Sequence, residues 1–383
     1  MGALPYAHRV ALRLCSFVPS LCRSQRSARP QRGRSDRVRP GCRPVVARVQ
    51  QPLSDADRPM SGGTGPLGAV AGAIGTVHEH IRWWLGEPGP VLAPVVARLT
   101  TDTCGKSLRA GLVLLFAGEQ RSTDQAATAG ALVELIHAGS LYHDDVIDNA
   151  SHRRGSPSAN AEFGAPMAIT CGDFLLARAS LAAASLGGEV ARWSAETVTE
   201  LCRGQSEEMA STGDTARTAA QYWSAVDGKT ASLMALACRL GAWCAPHLDQ
   251  EPSRAALSGL RFGSAFQLVD DLLDLCGPAT ELGRVPGSDL SQQVFTLPVI
   301  LGLAADPGLL GELPAQPAAA AAEVASRLSG TGVLDAVRSE VAELLDSSLD
   351  VLTGLAVHAE MVSLADWLLG RADRALGAAC ERR

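Results

Sequence analysis

Leu132-Val133-Glu134-Leu135-Ile136-His137-Ala138-Gly139-Ser140-Leu141-Tyr142-His143-Asp144-Asp145-Val146-Ile147-Asp148 is the stretch that decides the fold. Its apolar residues recur at steps of three and four, the period of a helix, and the run ends in three carboxylates. At about 100° per residue, the outer two aspartates lie about 40° apart around the axis, with the middle one about 100° from the first. Three acids therefore share one side of a helix whose neighbours want burial. A second copy, Asp270-Asp271-Leu272-Leu273-Asp274, follows Phe266-Gln267-Leu268-Val269. Carboxylates in apolar surroundings are costly without a counter-charge, so each set calls for a cation. Hard oxygen ligands that are not laid out as a calcium loop point to Mg²⁺, which usually shares its shell with substrate phosphates.

Outward from these two sets the pattern is helical almost everywhere after Gly62. Apolar residues keep the same period along 69–85, 90–99, 108–116, 126–147, 167–186, 191–209, 219–243, 256–275 and 297–303, then along 318–328, 334–352 and 355–378. Gly86-Glu87-Pro88-Gly89, Gly155-Ser156-Pro157, Gly187-Gly188 and Pro286-Gly287 punctuate them. Alternating strand patterns are absent, and abundant alanine favours close helix approach. The expectation is an all-α bundle around a central cavity, spanning residues 61–383 as one domain.

Residues 1–60 stand apart. They hold twelve Arg and three Asp, a balance of +9 in a chain of net charge −6, leaving about −15 for the remainder. That segment reads as an Arg/Pro-rich extension: a disordered tail, a transit-like segment, or the product of a start upstream of Met60. The acidic remainder excludes a nucleic-acid partner. Ten Cys without CxxC pairs fit a reducing, cytoplasmic setting with buried thiols. No uninterrupted apolar run approaches eighteen residues, so no transmembrane span is expected.

Of 34 basic residues only Lys106 and Lys229 are lysine. Where arginine has taken every other basic position, two surviving lysines suggest that a compact ammonium is needed, as for point contact with a phosphate oxygen. Lys106 sits in Gly105-Lys106-Ser107-Leu108-Arg109, three residues from Arg109 on one helix face. Lys229 precedes Thr230. Arg153-Arg154 follow the first acid set and can turn back over the helix end.

Taken in order, these pieces resemble the trans-isoprenyl diphosphate synthases, also called polyprenyl synthetases. They are Gly105-Lys106-x-x-Arg109, His137 seven residues before Asp144, Asp144-Asp145-x-x-Asp148 with Arg153-Arg154-Gly155, Gly172-Asp173, Lys229-Thr230, Phe266-Gln267-x-x-Asp270-Asp271-x-x-Asp274, and Gly287-Ser288-Asp289-Leu290 before Thr296-Leu297-Pro298. The resemblance implies that Asp144 and Asp148 bind Mg²⁺ bridging to an allylic diphosphate, with Asp145 in support. It implies a further ion at Asp270, with Asp271 and Asp274 nearby and Asp274 counted among the ligands. Lys106, Arg109, His137 and Arg154 would cradle isopentenyl diphosphate; Arg153, Lys229, Thr230 and Gln267 would contact the allylic diphosphate. A homodimer is implied as well. The chain departs from the family pattern at Ala110, where proline is frequent, and at Arg284 and Val294, where lysine is common. His137 lies about 10.5 Å along the helix from Asp144, so it needs a kink or a second ligand site.

The implied reaction is a Mg²⁺-dependent head-to-tail condensation of isopentenyl diphosphate with an allylic diphosphate. In the resembling family a bulky aromatic four or five residues before the first aspartate closes the product tunnel. Here those positions are Ser140 and Gly139, which predicts an all-trans product longer than C15, in the range of roughly C30–C50, with C20 as the alternative. A class I terpene cyclase is a rival, but neither Asn149 nor Asn160 is followed by Ser four residues on. A non-catalytic subunit of a two-component synthase is another, and the intact acids and lysines argue against it.

Overall fold

Helical segments punctuated by Gly and Pro build a computed structural model that describes residues 67–102, 107–153, 156–245, 251–278 and 286–380. Residues 1–60, Lys106, Arg154 and Arg284 lie outside the described residues. The chain runs through α1 (Ala71–Leu85), α2 (Gly89–Asp102), α3 (Leu108–Ala117) and the long α4 (Asp124–Ile147). A two-residue hairpin comes after it, β1 (His152–Arg153) antiparallel to β2 (Ser156–Pro157). Next come α5 (Ala159–Phe163), α6 (Ala165–Leu186), α7 (Gly188–Ala210), α8 (Ala219–Val226), α9 (Ser232–Cys244) and the long α10 (Pro252–Cys276). The short α11 (Ser288–Ser291) leads to α12 (Leu297–Ala305), α13 (Pro317–Leu328), α14 (Val333–Asp350) and α15 (His358–Cys380). The all-α expectation holds, with the hairpin as its one strand pair among the described residues.

Helix starts follow local chemistry. The Thr123 hydroxyl accepts from Ala126 N–H at 3.2 Å to cap α4, a cap whose loss costs about 1 kcal/mol. Thr218 and Gln221 cap α8 reciprocally, the Thr218 hydroxyl accepting from Gln221 N–H and the Gln221 side chain from Thr218 N–H.

Helix α9 sets the architecture of the site, because it packs on both α4 and α10. Gly241 lets it approach α3 closely: a Cβ there would lie 2.3 Å from the Val113 carbonyl oxygen. The 219–243 period predicts one unbroken helix, but Asp227–Ala231 forms a π-turn between α8 and α9. It packs closely on α7. A Cβ on Gly228 would lie 2.8 Å from Gly204 Cα, and one on Gly204 would lie 2.3 Å from Lys229 N. The wide turn inserts an extra residue and presents Lys229 and Thr230 between the two acid-bearing helices.

Helix α6 is long and apolar enough to cross a membrane by length and composition, counter to the expectation from uninterrupted runs. Here Ala168, Cys171, Gly172, Leu175, Ala179, Ala182 and Ala183 bury one of its faces against protein, chiefly α4.

Candidate active site

The first acid set lies at the C-terminal end of α4. Asp148 caps the helix, its N–H donating to the Asp144 carbonyl at 2.8 Å. Asp145 is buried, and Arg153 from β1 donates to its Oδ1 through Nε at 2.8 Å and lies 2.7 Å away through Nη2. The hairpin thus folds Arg153 back over the helix end, and Asp145 holds it there. Asp144 sits in a desolvated niche, which pushes its carboxyl up to about 6; Lys229 and Arg153 pull against that rise, and Asp148 and Glu208 add to it. Burial raises Asp148 in the same way, again opposed by Lys229.

The second set, on α10, is arranged differently. Asp270 is about one-third exposed (side chain 35%) and faces Arg371 of α15, whose Nη1 lies 3.4 Å from its Oδ1. Asp271 is buried. It accepts from Tyr222 Oη at 2.6 Å and from Gln267 Nε2 at 2.9 Å. Burial pushes its carboxyl up, those two donors pull it back, and Asp270 and Glu208 add to the rise. Asp274, expected as a metal ligand, accepts hydrogen bonds from the following segment. It is 2% exposed, its Oδ1 accepts from the Ser288 hydroxyl at 2.8 Å and its Oδ2 from Asp289 N–H at 3.0 Å. The carboxylate ties the N-terminal end of α11 to α10, reinforced by Gly287 N–H on the Asp274 carbonyl at 2.8 Å. Val294 N–H donates to the Asp289 carbonyl at 2.8 Å.

Two residues of the π-turn link the sets. Lys229 is held by Glu208 at 2.5 Å and acts electrostatically on Asp144 and Asp148. Thr230 donates to Gln267 Oε1 at 2.7 Å, and Gln267 in turn donates to Asp271. Glu208 of α7 bears on Asp144, Asp148 and Asp271 alike, so both sets lie within reach of one carboxylate. Sequence reading missed Glu208, because Glu207-Glu208 on an amphipathic helix looks like a solvated face. It missed Tyr222 and Arg371 because neither belongs to a recognisable motif.

The remaining expected residues divide. Arg109 Nη1 and His137 Nε2 lie 3.1 Å apart, which brings two of the four cradle residues together. Helix α4 runs unbroken from Asp124 to Ile147, so His137 lies on the same helix as Asp144, two turns before it. Ser140 is half-buried, and its hydroxyl donates to the His137 carbonyl at 2.8 Å. Gly139 packs against α6: a Cβ there would lie 3.0 Å from Leu176 Cγ and 3.1 Å from the Gly172 carbonyl oxygen. Its smallness therefore serves the close contact between α4 and α6. His143 lies 3.4 Å from Asp173 across the same contact.

Among the described residues, no three His, Cys, Asp or Glu side chains come close enough to hold a metal ion by themselves. The donors are nevertheless all hard oxygens, and desolvation raises the Asp144 and Asp148 carboxyls despite Lys229 and Arg153. That combination fits Mg²⁺, which dehydrates reluctantly and is commonly held by one or two carboxylates plus phosphate oxygens.

A family model described as "Polyprenyl synthetase" matches residues 93–328. A nonaprenyl diphosphate synthase of Mycobacterium tuberculosis is 37% identical over 237 residues, 61% of this chain and 70% of its own length. Heptaprenyl diphosphate synthase component 2 of Geobacillus stearothermophilus is 34% identical over 69% of this chain and 84% of its own length. The crystal structure of a Caulobacter crescentus polyprenyl synthase complexed with calcium and isoprenyl diphosphate superposes with a TM-score of 0.72. It is 27% identical and covers 79% of this chain and 96% of the other.

Proposed function

The chain belongs to the polyprenyl synthetase family and is a prenyltransferase, and from that premise we propose how its residues divide the work. The reaction joins isopentenyl diphosphate head-to-tail to an allylic diphosphate. Asp144, Asp148 and Asp270 would hold Mg²⁺, while Asp271 and Asp274 support the second wall. Metal bound there with the diphosphate would supply positive charge against the negative charge that develops on the leaving group. Lys229 and Arg153 contact the allylic diphosphate, held in place by Glu208 and Asp145. Thr230 and Gln267 line its path. Lys106, Arg109, His137 and Arg154 receive isopentenyl diphosphate, whose double bond attacks C1 of the allylic cation. The proton then lost passes to the released diphosphate. Apolar helix walls exclude the water that would quench the cation.

The observation that carries this reading is the π-turn, where Lys229 and Thr230 connect to one acid set each. The small, half-buried Ser140 supports a product longer than C15, in the range of roughly C30–C50, and the long-chain names of the relatives point the same way. The apolar α6 leaves Ile169 and Leu181 exposed, which supports a homodimer formed through that helix. A reducing, cytoplasmic setting fits the buried Cys171, Cys238, Cys244 and Cys276. Residues 1–60 form an extension separate from the 61–383 catalytic domain.

The test is turnover of the purified chain alone with Mg²⁺, labelled isopentenyl diphosphate and farnesyl or geranylgeranyl diphosphate. Long-chain product supports the reading. No product without an added second chain would assign this protein to a two-component enzyme, and a cyclised hydrocarbon would assign it to terpene cyclisation.

A further inference from the structure

Arg371 is a buried cation with no motif to explain it. It lies on α15, its side chain is 9% exposed, and its guanidinium carbon stands 5.2 Å from the ring centroid of Trp367, one turn earlier. Its Nη1 lies 3.4 Å from Asp270 Oδ1, at the long end of an ion pair. A guanidinium loses hydration on burial, and the Trp367 face and the Asp270 carboxylate offset part of that loss. Asp270 is also the most exposed member of the second acid set, whereas Asp271 and Asp274 are buried.

We propose that Arg371 is a positioning residue that occupies the Asp270 carboxylate in the metal-free enzyme and competes with divalent metal for it. This rests on the reading of Asp270 as a metal ligand. A divalent ion on Asp270 meets the Arg371 charge at short range, so metal can settle there only as the guanidinium swings away from Asp270. Metal binding at the second wall is thereby coupled to α15, far along the chain from either acid set. A diphosphate brought in with the ion supplies the negative charge that offsets the repulsion, so the pairing favours loading of metal together with substrate over metal alone.

The experiment is equilibrium Mn²⁺ binding to the full-length protein without substrate, read from the electron paramagnetic resonance signal of the free ion. Arg371→Gln is expected to bind Mn²⁺ about tenfold more tightly than wild type, and Arg371→Lys to stay near wild type. Asp270→Asn is expected to lose the affected site. Unchanged or weaker binding by Arg371→Gln, with the site lost in Asp270→Asn, overturns the competition while leaving Asp270 a ligand. Full binding by Asp270→Asn overturns the ligand reading and the proposal with it. Should Arg371→Gln fail to fold, the wild type still decides: Mg²⁺ should change the tryptophan emission, and Trp367→Phe should abolish that change. A change that persists in Trp367→Phe, or no change in wild type, counts against the guanidinium movement.

Discussion

The two Asp-Asp-x-x-Asp sets have the same spelling and different physical lives. The first closes a helix, so its backbone ends there, a hairpin returns Arg153 to it, and desolvation raises the Asp144 and Asp148 carboxyls. The second lies inside the last two turns of α10, where Asp271 and Asp274 are already engaged by Tyr222, Gln267, Ser288 and Asp289 N–H. In the second set two carboxylates are buried and hydrogen-bonded to neighbouring segments, and the third is paired with Arg371. The difference arises from the segment that comes after each motif in the chain. A free helix end exposes acids, whereas a returning segment at 287–289 consumes them.

The sharpest way to break this contrast is to neutralise one acid at a time. Asp144→Asn and Asp270→Asn should each lower kcat by about 10³-fold, or about 4 kcal/mol of transition-state stabilisation, with the fold intact by circular dichroism. Steady-state turnover within tenfold of wild type in either variant would remove that carboxylate from the metal wall.

A second separation uses pH. Asp144 titrates at about 6 in the folded chain against 3.8 as its ordinary value. The folded state therefore holds the proton more tightly, so the contribution of Asp144 to stability is largest below about pH 4. It declines as pH rises and is lost above about 6. Asp144→Asn removes that penalty, making the metal-free protein more stable at pH 7.5 by about 2–3 kcal/mol and little changed at pH 4. Urea unfolding in the presence of a chelator measures it. Equal destabilisation at both pH values would show that the desolvated niche is not there.

Asp274 should behave in the opposite sense. Asp274→Asn keeps the shape but turns one acceptor into a donor facing Ser288 or Asp289 N–H, and should cost about 1–3 kcal/mol at pH 7.5, read from the urea midpoint. Unchanged stability with lost Mn²⁺ binding would return Asp274 to the ligands.

The smallest effects concern the wall of the cavity. Ser140→Phe is expected to shorten the product by one or more five-carbon units, seen by mass spectrometry. Gly139→Ala is expected to leave product length alone and cost about 1–2 kcal/mol through the Leu176 and Gly172 contacts. The reverse pattern would move the tunnel to the Gly139 side.

Nearly all helices were legible because each carries an apolar stripe at steps of three and four between Gly and Pro breaks, and tertiary packing had no reason to override that period. The π-turn was not legible. Over five residues a bulge and a helix carry almost the same pattern, and the Gly204–Gly228 approach that accompanies it joins distant segments. Likewise Asp270, Asp271 and Asp274 look equivalent in the string, since nothing in their spacing says which oxygens a segment fifteen residues on will engage. Glu208 and Arg371 act through contacts across the bundle, 21 and 101 residues away in the chain from their partners Lys229 and Asp270. The hairpin at His152–Pro157 escaped for a plainer reason: two-residue strands have no alternation to read.

The most direct measurement of the whole account is a crystal structure with Mn²⁺, isopentenyl diphosphate and a non-hydrolysable allylic diphosphate, with manganese located by anomalous scattering. The account predicts metal peaks on Asp144, Asp148 and Asp270 that share one diphosphate, with Lys229 on its oxygens and Arg371 withdrawn from Asp270. Manganese confined to one helix, or a diphosphate bound away from the π-turn, would contradict it.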